Sequence, residues 1–584
     1  MIDHRRLGTG LRRAALASVT ALALIGAAPA PAPAPGSDTA APPPLAVTLT
    51  PSGDAQGFDR MGVTMRIPAP KTTAGAPLLR MPLMLVGLQT ASYPASAIQA
   101  SDDAGELTLT HSDQAPGASG TYRTYLVNRA TRGDVTVRYA TAPRAVNRDT
   151  RNGPLFDLRA QGGGLIGAGV YFFALPVEEK PYRISLHWDL PRTAATQRGI
   201  WSFGEGDQTT VGPAQLLAFS FYAAGPVRSA PADGKGNFGF YWLQQPPFDP
   251  VVMGKNVHRL YNHMSRFFGD PPDATYRVFA RGNPYPSGGG TSLSRSFMFG
   301  YGAQGQTTGD GTDMLIAHEM AHSWPSLDGA EDDHPLTAWY SEGTAEFYAL
   351  LLSLRAGTID LDRFLKVANA HARDYYTNPF LHLTNAAAGK QFWADARAQR
   401  VPYGRGFMYL AKVDGELKAK SGGRRSLDDL VLEVLRRQRA GEKVGLEQWI
   451  TMVVRELGPQ ARQDYLDMVA GKTIVPPQGT FGPCFRLEKT TARAFDLGFD
   501  EMRLGVVKDL RAGSRAAEAG LREGDPIVSL TPIGKLRNDP AARADVVVRR
   551  DGKEMPLRFS PYSAPVEAWQ WARVPGIADS ACKL

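Results

Sequence analysis

Two hydrophobic periods divide the chain. Between about residues 46 and 228, apolar and polar positions alternate in short runs: Val47-Thr48-Leu49-Thr50, Val63-Thr64-Met65-Arg66-Ile67, Leu107-Thr108-Leu109-Thr110 and Arg183-Ile184-Ser185-Leu186-His187. A period of two turns one face of a strand to a core and the other to water. No long amphipathic helix interrupts these runs, so they predict an all-β sandwich or saddle with a scaffold or substrate-orienting role. From 251 the period becomes helical: Val251, Val252, Val257, Leu260, Met264, Phe267 and Phe268 predict a helix over 251–268. Strands are expected over 276–280 and 296–299, with Gly288-Gly289-Gly290 as a turn between them. Helical patterning then continues to about 472, and the capping box Ser426-Leu427-Asp428-Asp429 opens one of its helices.

The texture changes once more after about 484. A short helix ending at Gly520 is followed by a turn at Glu523-Gly524-Asp525 and a strand from Ile527. This order resembles a PDZ domain. The resemblance implies that the loop Leu497-Gly498-Phe499 receives a peptide C-terminus through backbone N–H groups, beside an added strand at the sheet edge.

A length of 584 residues is enough for about three domains, each with its own core. A hydrophobic fraction of 43% and a charged fraction of 21% are those of a soluble globular protein. The formal net charge of +8 is modest, and part of it lies in Arg5, Arg6, Arg12 and Arg13. No basic block interleaved with aromatics follows, which argues against a nucleic-acid partner. Those arginines precede an apolar stretch from Ala14 to Gly26 that is too short to span a bilayer comfortably. The pattern predicts a signal peptide over 1–30, cleaved around Ala27 to Ala30, and an exported chain, periplasmic or extracellular. No stable membrane span is expected after cleavage. A Pro/Ala-rich linker follows over 31–45, then a β domain over 46–232, a catalytic domain over 233–478, and a PDZ domain with a C-terminal tail over 480–584. The first boundary falls in the polar stretch 228–236. Cys484 and Cys582 are the only cysteines; a disulfide fits export, and two free thiols are the alternative.

The candidate chemistry sits in His318-Glu319-Met320-Ala321-His322 and Trp339-Tyr340-Ser341-Glu342-Gly343. On a helix, residues four apart share a face, so His318 and His322 can reach one Zn²⁺. Glu319 stands beside the metal and can take a proton from an activated water. Glu342 completes a His₂Glu set with an open position, which predicts one zinc per chain. Asp310 or Thr312 is expected to cap the first helix and Pro325 to stop it. Ser341 is expected to cap the second, with Gly357 ending it. Glu346, one turn beyond Glu342, can accept a hydrogen bond from the far nitrogen of a ligand histidine. Asp328, six residues after His322, is the rival third ligand that a resemblance to metzincins would imply, although that family needs a glycine for its sharp turn where Pro325 stands. Asp332, Asp333 and His334 lie in a polar loop.

These motifs, with Tyr403-Gly404-Arg405-Gly406, resemble the glycyl aminopeptidase family of gluzincins. The likeness implies a multidomain chain: an N-terminal all-β domain, a thermolysin-like α/β and helical catalytic domain, and a C-terminal β-rich PDZ domain. It also implies peptide or protein substrates, and a tyrosine at Tyr403 that hydrogen-bonds the tetrahedral oxyanion; Tyr375 and Tyr376 are its competitors. Nineteen residues separate His322 from Glu342, one more than in the aminopeptidase N type, a difference that a loop absorbs. A larger departure is Gly289-Gly290-Thr291-Ser292-Leu293-Ser294-Arg295-Ser296, which lacks the acid that holds a substrate's amino group in related enzymes. The reading from a different class is a non-catalytic peptide-binding protein with a vestigial metal site; the intact Glu319 argues against it.

Overall fold

The computed structural model describes residues 41–584, apart from 86–87, 116–119, 151–152, 192–196, 272–273, 286–288, 303–311, 330–333, 393–394, 502 and 583. The expected leader at 1–30, the linker up to residue 40, and Gly288, Asp310, Asp332 and Asp333 lie outside the described residues.

Residues 44–225 build three sheets, as the alternating pattern predicts. In the seven-stranded one, Pro44–Asp54 runs parallel to Pro181–Trp188 on one side and antiparallel to Gly57–Ile67 on the other. Val47, Leu49, Val63, Met65, Ile184 and Leu186 turn inward to one apolar core, while Thr48 and Thr64 stay partly exposed. The run expected as one strand over 107–110 breaks at Thr108. Gly105–Leu107 joins the seven-stranded sheet and Leu109–Asp113 a five-stranded one, so the chain changes sheets while both leucines stay buried.

A five-stranded sheet follows in the order Arg228–Ala230, Phe238–Trp242, Tyr276–Gly282, Ser296–Tyr301, Gly289–Leu293. It therefore begins before residue 233. Its central strands are parallel, and Gly289–Leu293 is an antiparallel edge, so Gly289 and Gly290 are strand residues rather than a turn. Both faces are buried, which is why the strands read as near-continuous apolar runs. Tyr241, Phe279 and Met298 enter the β-domain core, while Phe240, Val278, Phe297 and Phe299 face the helices.

Five helices frame the site: α1 (Pro250–Phe267), α2 (Thr312–Ala321), α3 (His334–Arg355), α4 (Leu361–Thr377) and α5 (Val401–Ser421). Asp249 caps α1 by accepting from the Val251 and Val252 N–H groups. Helix α3 differs from expectation, since it starts at His334 rather than at Ser341. Ala338, Trp339 and Tyr340 are buried, so the apolar face of the helix extends upstream and Ser341 and Glu342 lie two turns inside it. Gly357, at φ 67°, ends it as expected.

The last hundred residues divide in two. Phe485–Phe495 pairs with Tyr562–Arg573, and this ribbon lays Leu487, Ala568 and Trp571 on the helical core. Asn369 of α4 exchanges two hydrogen bonds with the Trp571 backbone, at 2.8 and 2.7 Å. The sulfurs of Cys484 and Cys582 are bonded, with their Cα atoms 5.5 Å apart. Between the ribbon strands, Leu497 to Phe559 close a separate small core around the sheet Ile527–Leu530, Ala544–Arg550, Lys553–Phe559.

Asp157 ties the β domain to the central sheet. Fully buried, it accepts from Arg281 Nη2 at 2.8 Å and Arg159 Nε at 2.5 Å, with Arg144 at 3.4 Å. Burial would raise its carboxyl, but Arg281, Arg159 and Arg144 outweigh burial and hold it at about 2. Its contribution is therefore complete above the ordinary aspartate value near 3.8 and is lost as pH falls towards 2. Asp157→Asn should lower urea-unfolding stability at pH 7 by about 3–5 kcal/mol, because Arg281 would be left buried without its counter-ion. It should also flatten the acid limb below pH ~4. A change under about 1 kcal/mol would show the cluster to be energetically idle.

Candidate metal centre

The motif helix α2 carries His318 and Glu319 on a buried face. Ser292 Oγ of the edge strand donates to the Glu319 carbonyl at 2.7 Å. Gly290, on the same strand, lies over Glu319: a Cβ there would strike the Phe297 ring and sit 3.3 Å from Glu319 Cγ. Helix α3 meets α5 at two glycines. A Cβ on Gly343 would lie 2.5 Å from Gly406 Cα, and one on Gly406 would strike the Trp339 carbonyl. Gly404 rests on Tyr375 in the same way, with 3.0 Å from its ideal Cβ position to Tyr375 Cβ. These contacts give the Tyr403-Gly404-Arg405-Gly406 motif a steric meaning. Arg405 is structural: fully buried, it donates to Asn385 Oδ1 and to the carbonyls of Leu381 and Leu383.

Close helix packing brings Glu342 to the histidines. His318 Nε2 lies 3.0 Å from His322 Nε2 and 3.3 Å from Glu342 Oε2, and His322 Nε2 lies 3.5 Å from the same oxygen. A tetrahedral zinc with ligands at about 2.0–2.1 Å requires edges of about 3.3 Å. The three ligand atoms therefore fit a Zn²⁺ ion. Glu342 Oε2 and Glu319 Oε2 are buried without a hydrogen-bond donor among the described residues, as expected of atoms that face a cation or a water.

The surrounding charges are set by the same packing. Burial would raise Glu342, but His322 and His318 hold it at about 2. Burial would lower His318, but Glu346 and Glu342 raise it well above the usual imidazole range. Burial raises Glu319, and His318 and His322 offset this only in part, which favours it as a proton acceptor. Glu346 lies 3.5 Å from His318 Nδ1 and 3.3 Å from His371 Nε2 on α4. Ser341 Oγ lies 3.5 Å from His322 Nδ1. Neither His371 nor Ser341 carries a sequence signal for this placement; each is recruited by a helix crossing.

Tyr403, in the first turn of α5, stacks on His318 with ring centroids 5.6 Å apart and planes at 14°. Burial and then Glu342, Glu319 and Glu346 raise its pKa well above the ordinary phenol value, so the hydroxyl keeps its proton. Its sequence competitors are engaged elsewhere. Tyr375 Oη accepts the Ile474 N–H at 2.8 Å, and Tyr376 Oη donates to the Ile474 carbonyl at 2.9 Å. His318, Glu319, Glu346 and Tyr403 line a cleft of about 230 Å³ with Met314 and Leu315.

The rival ligand Asp328 is not in the group. Its carboxylate accepts from the Val444 N–H at 2.7 Å and anchors a distant loop. Arg295 turns to Asp270, 3.8 Å away. The Leu497-Gly498-Phe499 loop belongs to the small C-terminal core. Leu497 and Phe499 are buried there, and the Gly498 N–H, expected to receive a peptide carboxylate, donates to Asp496 Oδ1 at 2.9 Å.

No family model matches the sequence, and no curated protein matches it. Among solved structures, an aminopeptidase N family protein from Idiomarina loihiensis superposes with a TM-score of 0.60 at 14% identity. The match covers 91% of this chain and 98% of that one. An M1 zinc metallopeptidase from Deinococcus radiodurans superposes with a TM-score of 0.45 at 16% identity, over 75% of this chain and 94% of that one. At these identities the likeness to the first of them is one of fold: a β-rich N-terminal region followed by a helical region.

Purified protein should hold about one zinc per chain, and His318→Ala and His322→Ala should each lose it. Full occupancy of both variants, measured by elemental analysis, would remove the ligand assignment. Gly406→Ala should destabilise by about 2–3 kcal/mol in urea, since its methyl group meets backbone on α3. An unchanged midpoint would show that the helices can separate freely.

Proposed function

We propose that the chain is a zinc-dependent peptidase that hydrolyses peptide bonds. The observation that carries this reading is the convergence of three ligand atoms 3.0–3.5 Å apart, one of them from His318, which lines a cleft with Glu319 and Tyr403. His318, His322 and Glu342 would hold the ion. When bound, zinc supplies Lewis acidity, polarising a scissile carbonyl and acidifying water. Glu319 takes one proton from the attacking water as its oxygen adds to the carbonyl carbon. It returns that proton to the amide nitrogen as the C–N bond breaks, leaving a carboxylic acid and an amine. The Tyr403 hydroxyl donates to the oxyanion that forms in between. Glu346, held at about 2 by His371 and His318 against burial, orients the His318 ring.

Among the described residues of the edge strand, none offers a carboxylate to the substrate's amino group. Ser292 is spent on the Glu319 carbonyl, and Arg295 faces Asp270. Leu155, whose N–H bonds Thr291 Oγ1 on the edge strand, precedes Asp157 by two residues, but Asp157 is enclosed by arginines. This supports cleavage at blocked or internal positions rather than strict aminopeptidase specificity. Export is supported by the Cys484–Cys582 bond and by the sequence of the leader. No helix among the described residues is long and apolar enough to cross a membrane. A purely peptide-binding role is disfavoured by the intact Glu319 beside the ligands and by the engaged Gly498 amide.

Glu319→Gln should keep the metal and lose several orders of magnitude in turnover of a mixed peptide library; near-native turnover would assign the base elsewhere. Acetylated and free forms of one peptide should be cleaved within about tenfold of each other, about 1.4 kcal/mol. Stepwise release of N-terminal residues, abolished by acetylation, would instead establish an aminopeptidase.

A further inference from the structure

Glu501 joins the small C-terminal unit to the helix that bears Tyr403. Its carboxylate accepts from Arg537 Nη2 at 2.6 Å inside that unit and from Arg400 Nη2 at 2.8 Å in the helical region. Burial would raise this carboxyl, but Arg400 and Arg537 outweigh burial and hold it at about 2. Both contacts are therefore charge-assisted hydrogen bonds near neutral pH. Arg400 immediately precedes α5 and stands three residues before Tyr403. The helix begins there with no side-chain cap; its second turn is fastened by Arg405 and by the close contacts of Gly404 and Gly406. The Arg400 guanidinium is thus a tether ahead of Tyr403, at the very start of the helix.

The unit behind the tether is itself braced. Arg148 of the β domain donates to the carbonyls of Ile527 and Val528 at 2.8 and 2.7 Å. Gly505 approaches the same loop so closely that a Cβ would lie 2.7 Å from Asp149 Oδ1 and 3.0 Å from the Arg148 carbonyl oxygen. A module held by the β domain on one side and by Arg400 on the other is an abutment, not a pendant.

We propose that Glu501 is a positioning residue for catalysis: through Arg400 it fixes the first turn of α5 and so aims the Tyr403 hydroxyl. The inference rests on the reading of Tyr403 as oxyanion donor. Such a donor acts only if aimed at the developing charge, and a misplacement of about 1 Å costs on the order of a hundredfold in rate. The small unit then serves the metal site from outside it, without touching substrate.

The test uses the full chain with Glu501→Gln and, from the other side of the contact, Arg400→Gln, so that one variant suffices if the other fails to fold. Either should lower kcat by about ten- to a hundredfold, with KM within about twofold and zinc content unchanged. In a Tyr403→Phe background Glu501→Gln should cost nothing further, because the group it aims is gone. Independently of activity, the amides of residues 403–408 should exchange hydrogen at least about tenfold faster in Glu501→Gln, with α2 unaffected. An unchanged kcat, an equal loss in both backgrounds, or unchanged exchange over 403–408 would overturn the proposal. A wild-type chain that cleaves no peptide would sink the peptidase reading alone, and the exchange measurement would then decide the tether by itself.

Discussion

The contact between Gly343 and Gly406 is the constraint on which the centre depends. Two helices approach closely only where both lack a side chain, and here each glycine meets the backbone of the other helix. Glu342 is the neighbour of one glycine, and Tyr403 lies one turn before the other. Closing the helices therefore brings Glu342 up to the histidines of α2 and Tyr403 onto the cleft beside them. A larger residue at either position would force the pair apart and open the group built on α2. Gly343 and Gly406 are thus spacers, and they act through volume rather than chemistry.

The second constraint is electrostatic. Three glutamates and three histidines, His371 included, are gathered in one cluster, and burial of any one alone would drive it towards its neutral form. Their mutual contacts reverse this for Glu342, Glu346 and His318, while Glu319, the one carboxyl among them held by no direct imidazole contact, is raised. Glu342 stays anionic and Glu319 becomes more basic within the same few ångströms. Environment, not residue type, separates the roles.

Around this centre the remaining domains act as a frame. The central sheet is buried on both faces, so it cannot shift without disturbing either the β-domain core or the helices. Asp157 and Arg281 lock one side, and the disulfide-linked ribbon lies against α4 on the other. The small C-terminal unit reaches both the β domain and the start of α5, which makes a segment remote in sequence part of the geometry of the cleft.

Much of this was legible in the chain because it depends on short spacings. Period-two runs determined which residues of the β strands face inward, and an i,i+4 histidine pair determined that both rings share one helical face. Glycine at 357 and the box at Ser426 marked helix ends through local backbone geometry. With two cysteines, only one intramolecular pairing exists. Other features were decided only in three dimensions. The start of α3 at His334, the split at Thr108, the recruitment of Ser341 and His371, the exclusion of Asp328, and the engagement of Gly498 by Asp496 each follow from packing or from competition between alternative partners. The Arg148, Arg400 and Glu501 contacts join residues one hundred to almost four hundred positions apart. Local sequence restricts backbone conformation and the face a side chain occupies, because those depend on neighbours a few bonds away. Which distant surfaces meet is settled by the shape and charge complementarity of completed elements, and only the tertiary structure contains it.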